Sequence, residues 1–220
     1  MQASLLLRAR LLPLLATLAL AACNGGGDDD TPVVQVPELS PGTYLVNVGT
    51  TEAPVLGRYF SGSDGSRLLV LHNSADQAER LYRRSAADAA WTAVPAATAD
   101  VSIALQSSFK QAQASAAPTP AGLAGRYVAQ LAPGVWAQFS IAADGSLNAG
   151  SASPCKLSGR LDAKAGAGGL AVSLNASGCG SSVPASSQGF VLLDAEEQPA
   201  RFRLLADDGR SLLDLRAFTE

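Results

Sequence analysis

The chain has 220 residues, 47% of them hydrophobic and only 5% aromatic, with 16 basic and 19 acidic side chains and a formal net charge of −3. That balance excludes a nucleic-acid binder, which needs a concentrated basic surface, and attachment to a bilayer by charge alone. Alanine, leucine, glycine and serine dominate, so any core must be built from small side chains.

The N-terminal segment combines Arg8 and Arg10 with an apolar run from Leu11 to Ala22 and ends on the small residues Ala21 and Ala22. This is the pattern of an export signal. Its twelve apolar-run residues are too few to cross a hydrocarbon core of roughly 30 Å. Leu20-Ala21-Ala22-Cys23 resembles the lipobox of bacterial lipoproteins. The resemblance implies a signal over 1–22, cleaved before Cys23, which would carry a diacylglyceryl group and an N-acyl chain such as palmitate. An ordinary secretory signal with an incidental Cys23 is the alternative. In that family an aspartate directly after the cysteine favours inner-membrane retention. Asn24 stands there instead, which implies the outer membrane, with the protein facing the periplasm. The residues from Asn24 through Gly27 to Asp30 have a linker composition, and a flexible tether over 23–41 would reach roughly 25 Å.

Without Arg8 and Arg10, the 16 basic residues fall to 14 against 19 acidic ones, a net charge of −5 over the 198 residues from Cys23. The stretch 42–110 reads as a first antiparallel β unit, with strands around Tyr44–Val48, Leu56–Phe60, Leu68–Leu71, Trp91–Val94 and Val101–Leu105. Between them, Ser74 to Ala90 is ambiguous. Ser74-x-x-Gln77 has the form of a helix capping box, whereas Leu81-Tyr82-Arg83-Arg84 followed by Trp91-Thr92-Ala93-Val94 reads as a hairpin, the preferred reading. An Ala-, Pro- and Ser-rich linker over 111–123 follows.

From 124 to 220, eight candidate strands begin near Gly125, Gly134, Ser146, Cys155, Gly169, Gln188, Arg201 and Ser211, with short connections. Several alternate with period 2, as half-buried strands do. Leu157, Gly159 and Leu161 would point inward and Lys156, Ser158 and Arg160 outward. The expected fold is all-β, its C-terminal unit an eight-stranded up-and-down barrel or curled meander that removes exposed edges. Asp-Gly recurs at Asp64-Gly65, Asp144-Gly145 and Asp208-Gly209, a strong hairpin signal through two-residue type I′ turns. Taking Asp208-Gly209 as such a loop sets Phe202 against Leu215, Leu204 against Leu213 and Arg203 against Asp214, separating an apolar from a polar face. Gly57-Arg58-Tyr59 and Gly125-Arg126-Tyr127 open comparable stretches in the two units.

Cys155 and Cys179 remain once Cys23 is set aside. An even pair in an exported chain reads as a disulfide, and the strand proposal puts both at one end of a hairpin; two free buried thiols are the alternative. Other chemistry is thinly supplied. His72, the only histidine, lacks the partners a base or metal ligand needs, and no strand register sets a carboxylate beside it. Ser107-Ser108-Phe109-Lys110 and Ser153-Pro154-Cys155-Lys156 match S-x-x-K without its companion elements. Arg80, Arg83 and Arg84 read as a solvated face balanced by Asp76, Glu79 and Asp88, and Trp91 and Trp136 as core. No catalytic, cofactor or metal residue is expected.

The segment from Gly125 to Phe218, with G-R-Y, A-D-G-S, C-x-L-S-G and a later cysteine, resembles the small β-barrel modules of Gram-negative envelope lipoproteins. That pattern implies no catalytic residue. The expected function is a lipid-anchored, non-enzymatic binding or scaffold module engaging other envelope components through strand edges or loops. The alternative is a lipocalin-like carrier with a small apolar ligand inside the C-terminal barrel, and the filling of the barrel interior discriminates the two.

Overall fold

A computed structural model describes residues 31–111, 118–166, 169–181, 183–193 and 198–220. Cys23 and the whole signal-like segment lie outside the described residues. Sixteen strands and a single 3-10 turn at Ala121–Leu123 make up the described fold.

The C-terminal part is a closed, wholly antiparallel barrel of eight strands, each paired to the next, with the last returning to the first. The strands are β9 (Gly125–Ala132), β10 (Val135–Ile141), β11 (Ser146–Ala149), β12 (Lys156–Gly166), β13 (Gly169–Ser177), β14 (Ser186–Leu192), β15 (Phe202–Asp207) and β16 (Leu212–Thr219). Period-2 alternation produces this closure because it gives each strand one apolar face to turn inward. Leu157 and Leu161 of β12 and Leu170, Val172 and Leu174 of β13 are all buried in one cluster. Outward positions on the same strands carry Lys156, Ser158, Arg160 and Ser173. These two strands thus turn apolar side chains inward and polar ones outward.

Apolar side chains from several strands meet inside the barrel. Tyr127, Phe139 and Phe202 meet at its centre with ring centroids 4.9–6.5 Å apart, and the Tyr127 hydroxyl donates to the Leu123 carbonyl at 2.8 Å. Gly159 leaves no hole, because a Cβ there would fall 2.0 Å from the Ser173 carbonyl oxygen. Its lack of a side chain lets two strands approach. Cys155 and Cys179 form a disulfide across the end of the β12–β13 hairpin. Closing a 24-residue separation, it contributes roughly 3 kcal/mol on the chain-entropy account.

The Asp-Gly turns differ from the expected type I′ loops. Gly65, Gly145 and Gly209 have positive φ, but among the described residues Asp76 is the one non-glycine residue that does. In each turn the aspartate instead accepts from the backbone two residues on: Ser66 N to Asp64, Ser146 N to Asp144 and Arg210 N to Asp208, at 2.9–3.0 Å. The loops are therefore longer than two residues, and the last hairpin shifts. Leu204 pairs with Leu215, Ala206 with Leu213 and Arg203 with Arg216, two residues from the expected register.

The N-terminal part is a six-stranded antiparallel sheet. Its strands are β2 (Gly42–Gly49), β3 (Pro54–Ser61), β4 (Arg67–His72), β5 (Ala78–Arg84), β6 (Thr92–Val94) and β8 (Leu105–Lys110), in the order β6-β5-β4-β3-β2-β8. The ambiguous segment is a hairpin, with Leu81 opposite Val94 and Arg83 opposite Thr92. Asn73 takes up the backbone that a helix would have needed, accepting from the N–H groups of Ala75 and Gln77. Within the range 23–41 expected as a tether, residues 34–36 belong to the fold. Val34–Gln35 forms β1, parallel to β7 (Val101–Ser102), and Val34 and Val36 pack beneath Tyr44, Tyr59 and Leu69. Apolar residues at alternate positions draw this stretch onto the sheet.

Residues 112–117 of the expected linker lie outside the described residues. The sheet and the barrel belong to one compact unit over Pro32–Glu220 and share a core. Phe60, Leu68, Val70, Leu81 and Val94 of the sheet pack on Leu192 and Leu205 of the barrel wall. All six residues of β15 are buried as a result: alternate ones face the barrel interior, the rest face the sheet.

Candidate functional site

Two places combine unusual chemistry with unusual exposure. The first is the polar seam between the sheet and the barrel. The turn joining β4 to β5 lies against β15 and β16. Arg203, 2% exposed, grips Asp214 with its Nε at 2.7 Å and its Nη2 at 2.6 Å. It also donates to the Asp76 carbonyl at 3.0 Å. Asp214 accepts the Ala78 N–H at 2.6 Å, and Arg216 reaches the Asp76 carbonyl at 3.0 Å and its carboxylate. Beside this network stands His72, its side chain 7% exposed, with Nδ1 3.4 Å from the Asp76 carboxylate. A carboxylate does accompany the histidine, though strand register does not place it. It comes from the adjoining turn, where Asp76 adopts φ of 56°, and no strand register reveals a turn conformation.

Burial, with Arg203 adding repulsion, pulls His72 down to about 4 from its ordinary 6.5, against the attraction of Asp76 and Asp214. The histidine is neutral across physiological pH, and among the described residues its buried Nε2 has no hydrogen-bond partner. Because the unfolded chain takes up this proton first, stability should fall as pH drops from 6.5 toward 4, by on the order of 3 kcal/mol. Urea midpoints at pH 7 and pH 4.5 check this. His72→Gln, which cannot be charged, should lose most of the drop.

Arg83 and Arg84 do not pair with the local acids expected for them. Arg83 bonds Asp207 of the barrel at 2.7 Å, and Arg84 bonds Glu38 at 2.7 Å. Burial outweighs Arg83 and holds the Asp207 carboxyl above its ordinary range. Arg84 also lies 5.3 Å from the centroid of Trp91, which packs against the sheet core as expected. Trp136 does not: it is 46% exposed, because the alternation of β10 turns Ala137, Phe139 and Ile141 inward. Both S-x-x-K matches lie in strands or loops. Ser153 donates to the Trp136 and Cys155 carbonyls and Lys156 to those of Gly150 and Ser151, so neither is arranged as a nucleophile and its base. Among the described residues no three ligating side chains converge as a metal site.

The second place is strand β8, at the end of the sheet. Its inner side pairs with β2, Leu45 opposite Phe109 and Asn47 opposite Ser107. Its outer side pairs with no strand among the described residues. Natural edges are usually blunted by brevity, proline or lysine. The opposite edge, β6, has three residues followed by Pro95. β8 has six residues, no proline, and one lysine turned away, its Nζ donating to the Pro41 carbonyl at 2.9 Å and lying 5.7 Å from the Tyr44 ring centroid. On the face shared with the barrel-packing residues, Phe109 is 69% and Leu56 64% exposed, with Leu45 half-buried between their strands. The barrel covers the β4–β5–β6 half of that face and leaves this half open. The sequence signal was Leu-Gln-Ser-Ser-Phe-Lys itself, an alternating strand with a large aromatic on a polar background.

Comparison of the chain with protein families, curated proteins and solved structures finds no match.

Proposed function

We propose that the protein is a lipid-anchored, non-enzymatic binding or scaffold module of the outer membrane, facing the periplasm, and that it engages other envelope components through the β8 edge. The observation that carries this reading is the open edge beside exposed Phe109 and Leu56. Strand addition takes affinity from main-chain hydrogen bonds and specificity from pockets for alternate side chains, and both are on offer there. The aromatic cluster of Tyr127, Phe139 and Phe202 inside the barrel supports this over a carrier with an internal ligand, because those rings take up interior space that a ligand would need. The anchor reading rests on Leu20-Ala21-Ala22-Cys23.

Both halves of the proposal are testable together. Cys23→Ser should leave a precursor that retains residues 1–22 and incorporates no labelled fatty acid. Phe109→Asp should leave folding and anchoring intact while removing the cellular role, because Phe109 supports no core. Normal maturation of the first variant overturns the anchor, and normal function of the second overturns the edge as the binding site.

A further inference from the structure

Resting on that reading, we infer that the partner at the β8 edge is a second copy of this chain, joined edge to edge about a two-fold axis passing between opposed Phe109 residues. In an antiparallel pair, residues alternate between those that exchange both hydrogen bonds with the neighbour and those that turn them away. Gln111 N donates to Thr43 O at 2.8 Å, so with Leu45 opposite Phe109 and Asn47 opposite Ser107, those pairs carry the bonds to β2. Ser108 and Lys110 therefore direct their N–H and C=O groups outward.

A two-fold through Phe109 sets Ser108 of one copy against Lys110 of the other, twice. Four main-chain hydrogen bonds then close the joint. Each charged Lys110 meets a neutral serine, so no like charges are opposed, and its ammonium is already held on Pro41 and Tyr44. The two Phe109 rings fall in the non-hydrogen-bonded position, where opposite Cα atoms are closest, about 4.5 Å. Their most exposed apolar surface is buried there, and each half-buried Leu45 lies one strand away. A symmetry centred on Ser107 would instead use Gln106, which the irregular register of β2 with β8 displaces from the strand line. The pattern of this edge is thus the complement of itself: one apolar face, one polar face and no repeated charge. The product is a continuous twelve-stranded sheet, two six-stranded sheets joined at β8, carrying a barrel toward each end.

The register gives a sharp test. Phe109→Cys and Ser107→Cys are introduced separately into the full chain, expressed with its N-terminal segment in a Gram-negative envelope as two differently tagged copies, and treated with a mild oxidant. Disulfides need Cα separations of about 4.4–6.8 Å. Opposed residues 109 satisfy this, whereas the two residues 107, on the same face, stand about 14 Å apart at 3.4 Å per residue. The Phe109→Cys chain should form a reducible dimer containing both tags, roughly ten-fold or more in excess of that from Ser107→Cys. Equal dimer yields from the two positions would mark random collision and overturn the inference. A Phe109→Cys adduct with a different protein, without homodimer, would also overturn it while leaving strand addition at β8 standing. No adduct of either kind would remove both.

Discussion

Replacing Arg203 by alanine should destabilise the chain by about 3–5 kcal/mol, the range for breaking a buried ion pair by removing one partner. Arg203 is 2% exposed and Asp214, at the level of its side chain, 8%. Once the guanidinium is gone, the Asp214 carboxylate keeps the Ala78 N–H and loses its charged partner. The Asp76 carbonyl loses one of its two arginine donors, so the turn that seats the sheet on the barrel loosens as well. Urea unfolding at neutral pH measures the loss, and a change below about 1 kcal/mol would show that the pair is screened by solvent. The double variant Arg203→Met with Asp214→Leu should regain most of the stability, since removing both charges together leaves none uncompensated. The pair would then matter for the angle of docking more than for stability.

Leu213→Asp should abolish the folded barrel. Leu213 is 5% exposed, faces inward opposite Ala206 and packs in the cluster that holds Phe202, Leu204 and Leu215. A carboxylate there either ionises in an apolar interior or takes up a proton at a cost of several kcal/mol, and it forfeits the burial of a leucine as well. The total exceeds about 4 kcal/mol, a large share of the 5–15 kcal/mol by which domains are ordinarily stable. Loss of β-sheet circular dichroism, or export followed by degradation, would report it. Ser211→Asp, in the adjoining exposed loop, should stay within about 0.5 kcal/mol of the parent.

The β15–β16 hairpin shows what local pattern does and does not carry. The turn is longer than the expected two residues, because Asp208 closes it with its own side chain on Arg210 N and Ser211 N and allows a wider loop. The register moved by two as a consequence. Since side chains alternate with a period of two, such a shift leaves every residue on its face. Phe202, Leu204, Leu213 and Leu215 still point inward, and Arg203 still reaches Asp214, now along the diagonal. A shift of one would have reversed the fold.

Period and turn residues are properties of neighbouring positions, so the chain itself declared its all-β class, the eight strands after Gly125, the Cys155–Cys179 bridge and the choice of hairpin over helix near Leu81. Packing between distant segments has no such local signature. The polar face expected of β15 is buried because a sheet some 120 residues earlier covers it, with Asp207 meeting Arg83 at a separation of 124 residues. His72 gains its carboxylate from a turn, Val34 and Val36 leave the tether for a core, and Trp136 is put outside by strand alternation at a bulge. The open β8 edge is of the same kind. Whether a strand lies at a margin or in the middle is decided by which other strands find it, and only the tertiary structure contains that.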